Sequence, residues 1–411
     1  MSMKKSIFML SKIMTTHRII FLLNIVVLYG CVEEIDIVET DQFENYLVVE
    51  ATLTDQEISQ EISLSRTYSL EDNVVPPESN ADVKVTDSNG VEYSFEELSP
   101  GQYRSAEIFA AQPNINYTLT IRTQNGNLYE SREMLLTSVN PIDELFFERD
   151  FNENGQEGVS VFVNNYDPLG QSNFYRFKYE ESYKVIAPLW TSLDLIDNLA
   201  AGVASYDERF EFIPRSTDEL ICYKTNVSNS IIITNTKDLI EDRLNNFRVL
   251  FLNRNDFKIA HRYSILLTQF IQSAEAYTFY QFLSEISESE NLLSETQPGF
   301  LSGNITSLSN TEENVIGFFE VVSADTQRIY FNYEDLFSNE LLPPYPIQCG
   351  IENFYAPLFD QLDEALASRD YKFYLNNDEP EELEGPYFLV PAPCGDCTFY
   401  GDSSPPVWWE E

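Results

Sequence analysis

From Tyr46 to about Leu136, apolar residues recur at every second position. Tyr117, Leu119 and Ile121 alternate with Thr118, Thr120 and Arg122; Ile62 and Leu64 alternate with Ser63 and Ser65; Val83 and Val85 flank Lys84. Successive side chains of a strand point to opposite faces, so this spacing predicts strands with one face in a core and the other in water. Asn89-Gly90 and Asn125-Gly126 stand between such runs, and Asn-Gly readily takes the positive φ angles of a two-residue hairpin turn. Short strands with turns between them predict an immunoglobulin-like β-sandwich over 45–141, with Pro141 at its boundary.

The next segment, 142–341, is again strand-like, as in Val159-Ser160-Val161-Phe162-Val163, Phe174-Tyr175-Arg176-Phe177 and Ile231-Ile232-Ile233. One helix interrupts it, near 273–290. Ser273 is a good N-cap, and Ala276, Tyr280, Leu283 and Ile286 or Ser287 then fall at helical spacing, with Glu275, Glu285 and Glu288 on other faces. The expected arrangement is a helix packed on a sheet. From 342 to 411 the chain turns proline-rich, with Pro343, Pro344, Pro346, Pro380, Pro386, Pro391, Pro393, Pro405 and Pro406. Proline disfavours strand and helix interiors, so this extension is expected to be loop-rich and strapped onto the body. The fold class is therefore mainly β: an N-terminal immunoglobulin-like sandwich, a larger β-rich domain with a packed helix, and a C-terminal extension.

The first thirty residues follow a different pattern. Lys4, Lys5, Lys12 and Arg18 precede an apolar run from Ile19 to Tyr29 that is broken only by Asn24. A membrane-crossing helix needs about 20 apolar residues, so this run is the core of a signal peptide, 1–30. It ends in Leu28-Tyr29-Gly30-Cys31, which resembles the bacterial lipoprotein signal, in which the cysteine is lipidated and becomes the first residue of the mature chain. Each buried acyl methylene contributes about 0.8 kcal/mol and one chain holds only marginally, so a multiply acylated Cys31 would anchor the protein stably without spanning the bilayer. Residues 31–44 then form an acidic linker. Its Glu33, Glu34 and Asp36 resemble the surface-export signal of Bacteroidota lipoproteins; the alternative is a solvated acidic stretch in an acidic protein.

Acidity extends over the whole chain of 411 residues, with 67 Asp and Glu against 25 Lys and Arg. A surface of that sign repels polyanions, so nucleic acid is not an expected partner. The chain has two histidines, and His17 lies in the leader, which leaves His261 for imidazole chemistry. His261 precedes the strand-like run Arg262–Leu266 and is expected to be a strand-edge residue. Nucleophile-elbow, phosphate-loop and dinucleotide signatures do not occur. The expected protein is not an enzyme and uses no cofactor.

Beyond Cys31 the cysteines are Cys222, Cys349, Cys394 and Cys397. Four cysteines in an exported chain predict two structural disulfides, with three connectivities open. Cys394-Gly395-Asp396-Cys397 also has the spacing of a redox pair or half a zinc site. It sits in a proline-rich tail without a second close pair, which favours disulfides. Asp150, Asn152, Asn154 and Gly155 copy the first half of a calcium loop, but Val161 stands where that loop needs a bidentate Glu, so a hairpin turn is expected and no metal.

Several blocks together resemble the domain-of-unknown-function 4249 family of Bacteroidota lipoproteins. They are Cys31 with its acidic followers, Tyr46–Glu50, Tyr263–Gln269, Glu275–Tyr280, Pro298–Ile305, Val315–Phe319, and the tail from Cys394 to Trp408. The tail has Thr398 and Gly401-Asp402 where the family often carries Arg and Gly-Gly. The resemblance implies an outer-membrane, surface-exposed lipoprotein found beside a β-barrel, either a TonB-dependent receptor of the SusC type or an assembly complex. It supplies no catalytic residues. Two functions follow as expectations: an accessory subunit of such a barrel, or a module capturing glycans or peptides for nutrient uptake. In the second, Trp190, Trp408 and Trp409 are candidates for stacking on ligand, against the alternative of core packing or tail docking.

Overall fold

The computed structural model describes residues 45–68, 74–197, 210–288, 303–354, 359–379 and 384–411. Cys31, Glu33, Glu34 and Asp36, and the leader before them, lie outside these residues. Among the described residues no helix is long and apolar enough to cross a membrane.

The molecule is mainly β, as its alternation predicts. The first eight strands are β1 Leu47–Thr54, β2 Glu61–Arg66, β3 Asp82–Asp87, β4 Glu92–Ser99, β5 Gln102–Ser105, β6 Asn116–Arg122, β7 Leu128–Ser131 and β8 Met134–Leu135. Their inward residues, among them Leu47, Val49, Leu64, Val85, Leu119 and Ile121, are buried in one core, and the intervening residues are more exposed. Full burial of each such side chain contributes about 1.5–3 kcal/mol. Gly90 and Gly126 take φ angles of +84° and +87° in the predicted hairpin turns, a region that costs a residue with a Cβ more than it costs glycine.

The following strands are β9 Glu144–Phe151, β10 Glu157–Asp167, β11 Phe174–Ile186, β12 Leu193–Asp197, β13 Phe210–Pro214, β14 Ile221–Val227, β15 Ile232–Asn235, β16 Asp242–Asn253 and β17 Arg262–Ile271. Helix α1, Ala274–Glu288, leads to β18 Ile305–Ser307 and the 18-residue β19 Val315–Asn332. A three-stranded sheet in the order β16-β10-β9 packs against β11, β17 and the end of β19. Tyr175, Phe177, Tyr263, Ile265 and Leu267 meet Val159, Val161 and Val163 in that second core.

The two cores share one sheet. Fourteen strands form it, ordered β14-β11-β17-β19-β1-β2-β5-β4-β3-β6-β7-β18, with β15 and β8 beside the path. The joint is β19, whose first half runs parallel to β1 in the register Leu47↔Val315 to Thr54↔Val322. Its second half runs antiparallel to β17, Ile271↔Ser323 to Arg262↔Asn332. Phe319, Val321 and Ile305 thus complete the core of the N-terminal strands from more than 160 residues downstream of β8. Local alternation does not announce this return.

Two glycines make the joint possible. Gly317 has φ +151°, and a Cβ on it would lie 2.2 Å from the Val49 carbonyl oxygen; a Cβ on Gly303 would lie 1.5 Å from the Gly317 carbonyl oxygen. Gly317→Ala is expected to cost about 1–3 kcal/mol through this overlap and the backbone strain. A shift of the urea midpoint toward lower denaturant is the check, and an unchanged midpoint would contradict the close approach.

The C-terminal extension is more than a strap. Strands β20 Glu352–Asn353, β21 Tyr371–Asn376 and β22 Tyr387–Pro391 form a small sheet, joined by helix α2, Phe359–Ser368, and the β12-β13 hairpin. Leu195, Phe210, Leu362, Ala365, Phe373 and Leu389 fill its core. The disulfide Cys222–Cys397 ties it to β14 of the body, and Cys349–Cys394 closes a loop within the extension, with Cα separations of 5.5 and 5.7 Å. Cys394 and Cys397 therefore belong to different bonds, which removes the redox-pair and zinc readings of their spacing.

Candidate functional site

The outer face of the joint carries polar residues where the pattern alternates. On β11, Tyr175 and Phe177 point into the second core, so Arg176, Lys178 and Glu180 face the other way. On β1 the same logic places Val48, Glu50 and Thr52 opposite the buried Leu47, Val49 and Ala51. Phe270 and Thr268 of β17 and Phe318 and Glu320 of β19 stand between them. Helix α1 lies over this face, packing on β11, β15 and β19.

Sequence spacing located α1 closely. The Ala276 amide donates to Ser273 Oγ at 3.1 Å, the predicted N-cap. The buried side is formed by Ala276, Phe279, Tyr280 and Leu283. The expected stripe lacks Phe279, while Ile286 and Ser287 are among the exposed residues.

Strands and helix together enclose an open groove of about 1120 Å³. At its base is a buried ion pair, Arg176 with Glu320, with side chains 3% and 1% exposed. Glu320 also accepts from Thr52 Oγ1 at 2.9 Å and Gln272 Nε2 at 3.0 Å. The guanidinium lies between two rings, 4.4 Å from the centroid of Phe270 and 4.6 Å from that of Tyr280, a placement that favours a cation through the ring quadrupoles. Burial, and then the Glu320 charge, push the Tyr280 hydroxyl pKa up, so it remains protonated. Arg176 Nε and Gln272 Oε1 are buried without a hydrogen-bond partner among the described residues.

Lys178 lies one strand repeat from Arg176 and reaches water through the groove. Desolvation by the surrounding walls, and then repulsion from Arg176, lower its pKa. Glu50, Glu180, Thr268, Ser228, Asn229 and Ser230 also line the groove. Val48, Ile58, Leu283, Ile316 and Phe318 supply an apolar wall. The arrangement can hold an elongated ligand.

A model of the family described as "Domain of unknown function (DUF4249)" matches residues 32–328. The chain belongs to the DUF4249 family. No curated protein matches it. The DUF4249 region begins directly after Cys31 and includes β1, β11, β17 and α1, and all of the groove. It stops before the block Cys394–Trp408, so the resemblance read in that tail lies outside the matched residues.

Other sequence candidates fall elsewhere on this DUF4249 chain. Trp408 lies against Arg328, with the ring centroid 3.3 Å from the guanidinium carbon, and its carbonyl accepts from Tyr330 Oη at 3.1 Å. Trp409 packs edge-on to Tyr223 at 5.2 Å, and Trp190 packs on the second core. All three are half-buried, so they dock the tail and fill the core, and none lines the groove. His261 is half-buried before β17, and burial, then Lys184, lower its pKa. It is neutral at pH 7 and remote from the groove lining. The calcium-like stretch is a hairpin: Asn152 Oδ1 accepts from the amides of Asn154 and Gln156 at 3.0 and 2.9 Å, and Gly155 has φ +72°.

A second surface feature was not legible in the sequence. Val139, Leu169 and Ile240 are 67%, 75% and fully exposed, with Leu239 beside them. They sit on three neighbouring loops. Ser138 Oγ donates to the Gln171 carbonyl at 3.0 Å, and the Thr236 amide donates to the Asn173 carbonyl at 3.0 Å. Exposed apolar side chains gathered on adjoining loops mark contact surfaces more often than single ones do.

Proposed function

We propose that this protein is a non-enzymatic lipoprotein on the outer face of the outer membrane, anchored through Cys31, and that it is an accessory subunit of a TonB-dependent transporter or another outer-membrane β-barrel complex. The leader ending at Cys31 and the acidic Glu33, Glu34 and Asp36 support the location. The observation that carries the accessory role is the set of exposed aliphatic side chains Val139, Leu169, Leu239 and Ile240 on three loops that are joined by hydrogen bonds.

Purification of the tagged chain from its native envelope tests this. A β-barrel protein should co-purify in near-equal amount, and Leu169→Asp with Ile240→Asp should release it while the chain remains membrane-bound. Recovery of the lipoprotein alone from gently solubilised membranes would defeat the accessory role. The groove favours a second reading, capture of a peptide or glycan at the cell surface. The two roles are compatible, since a captured molecule could be passed to a barrel partner.

A further inference from the structure

The face of the sheet that carries the groove continues past it, beneath Trp408–Glu411. Side chains on one face of a sheet come from alternate positions, and the register places Glu180 beside Leu266 and Arg328, then Ser182 beside Ser264 and Tyr330. The next row sets Tyr223 beside Lys184, with Arg262 adjoining. Glu180 and Leu266 also line the groove, so the two areas are continuous. Carboxylates of the body are scarce on this stretch, although the chain has 67 acidic residues against 25 basic ones. Among the described residues Lys184 pairs only with Glu411, Arg262 pairs with no carboxylate, and Arg328 pairs with Glu180 at 3.1 Å.

Trp408–Glu411 cover this cationic, tyrosine-bearing surface with the complementary chemistry. The Trp408 ring lies on Arg328, and Trp409 stands edge-on to Tyr223 and Tyr330 with centroids 5.2 and 6.3 Å apart. Glu411 accepts from Lys184 Nζ at 2.8 Å and from Tyr223 Oη at 2.9 Å, and Arg262 Nε donates to the Glu410 carbonyl. Each of these contacts uses a side chain of the body. The last backbone hydrogen bonds between tail and body, among the described residues, join Asp402 with Tyr223. Pro405 and Pro406 follow, and Val407 is fully exposed. Ring contacts and exposed ion pairs are individually weak, so these four residues sit on the sheet as a bound peptide does, without the ladder that holds a strand.

We propose that this face is a docking surface for a partner's protein segment with neighbouring aromatic and acidic residues, and that Trp408–Glu411 occupy it in cis until the partner displaces them. Charge complementarity selects the occupant. Lys184 and Arg262 take its acidic groups, and Arg328 and the rings of Tyr223 and Tyr330 take its aromatic ones. The surface lies at the opposite end of β11 from the loops of Val139 and Leu169, so its failure to bind would leave the accessory role standing.

A tethered segment competes at an effective concentration of about millimolar, so a free peptide with a Kd of about 0.1 mM binds about tenfold more weakly while the tether is seated. The test is fluorescence anisotropy of a labelled nonapeptide with the sequence of Ser403–Glu411, added to the full-length protein in detergent and to two variants that free the face. One variant ends at Val407; the other carries Glu410→Lys and Glu411→Lys, which repel the tail without removing it, and urea midpoints show which variants are folded. Both are expected to bind the peptide at least about tenfold more tightly than the intact protein does. Peptides with both Trp replaced by Ala, or both Glu by Gln, should bind at least about tenfold more weakly, and Lys184→Gln with Arg262→Gln in the shortened chain should have the same effect. Should the shortened chain not fold, the charge-reversed chain carries the comparison. Absence of binding to any folded variant would overturn the docking surface. Equal binding to intact and freed proteins would overturn occupation in cis, and equal binding of the Ala and Gln peptides would overturn the assigned chemistry.

Discussion

Glu320→Gln should destabilise the protein by about 3–5 kcal/mol, the usual consequence of removing one partner from a buried ion pair and leaving the other charge uncompensated. The substitution keeps the shape of the side chain, although its single amide oxygen can accept from only one of Thr52 and Gln272 where the carboxylate accepts from both. What it removes is the charge facing Arg176, which has 3% of its side chain exposed and no other carboxylate paired with it among the described residues. The double replacement Arg176→Met with Glu320→Leu should recover most of the loss, because apolar side chains of similar volume need no compensation. Denaturant unfolding of wild type, single and double variants distinguishes the cases. If the single variant matches wild type, water reaches the pair and the base of the groove is not closed.

Removing the Cys222–Cys397 bond by the double Cys→Ala replacement should cost up to about 5 kcal/mol in the chain-entropy account, and removing Cys349–Cys394 up to about 4 kcal/mol. The difference follows from sequence separations of 175 and 45 residues, since loop-closure entropy rises slowly with length. The first bond carries a second consequence. Residues 396–411 are otherwise held by contacts such as Trp409 on Tyr223, the Glu411 carboxylate with Lys184 at 2.8 Å, and backbone bonds between Tyr223 and Asp402. Limited proteolysis should therefore clip this segment first in the Cys222→Ala/Cys397→Ala protein, while β11 and β17 survive. Resistance equal to wild type would mean that the aromatic and ionic contacts alone hold the tail.

Much of the local structure was readable because strand and helix periods differ. The alternation Tyr117-Thr118-Leu119-Thr120-Ile121 specifies which side chains of β6 enter the core, and the structure buries those three apolar residues. Asn-Gly pairs marked hairpin turns through their tolerance of positive φ. Ser273 marked the start of α1 through its hydroxyl. The groove was not readable. Arg176 and Lys178 occupy the outward phase of β11, where charged residues are ordinary, and nothing in their spacing says that α1 will cover one of them and leave the other facing a groove. The C-terminal module was underestimated for a related reason: prolines run through the whole segment, Pro380, Pro386 and Pro391 beside or in its strands, and mask the short β21 and β22 whose Phe373 and Leu389 are buried once packed.

The sequence by itself determined the class of fold, the faces of its strands, the place of its helix and the number of cysteines available for bonding, because these depend on neighbours within a few residues. Tertiary structure alone decided that β1 runs beside β19, which cysteines join, and that Glu320 meets Arg176 across 144 residues. A period of two fixes a face without naming the partner strand. The choice among partners is made by the summed burial and hydrogen bonding of the whole sheet, against the entropy of closing long loops.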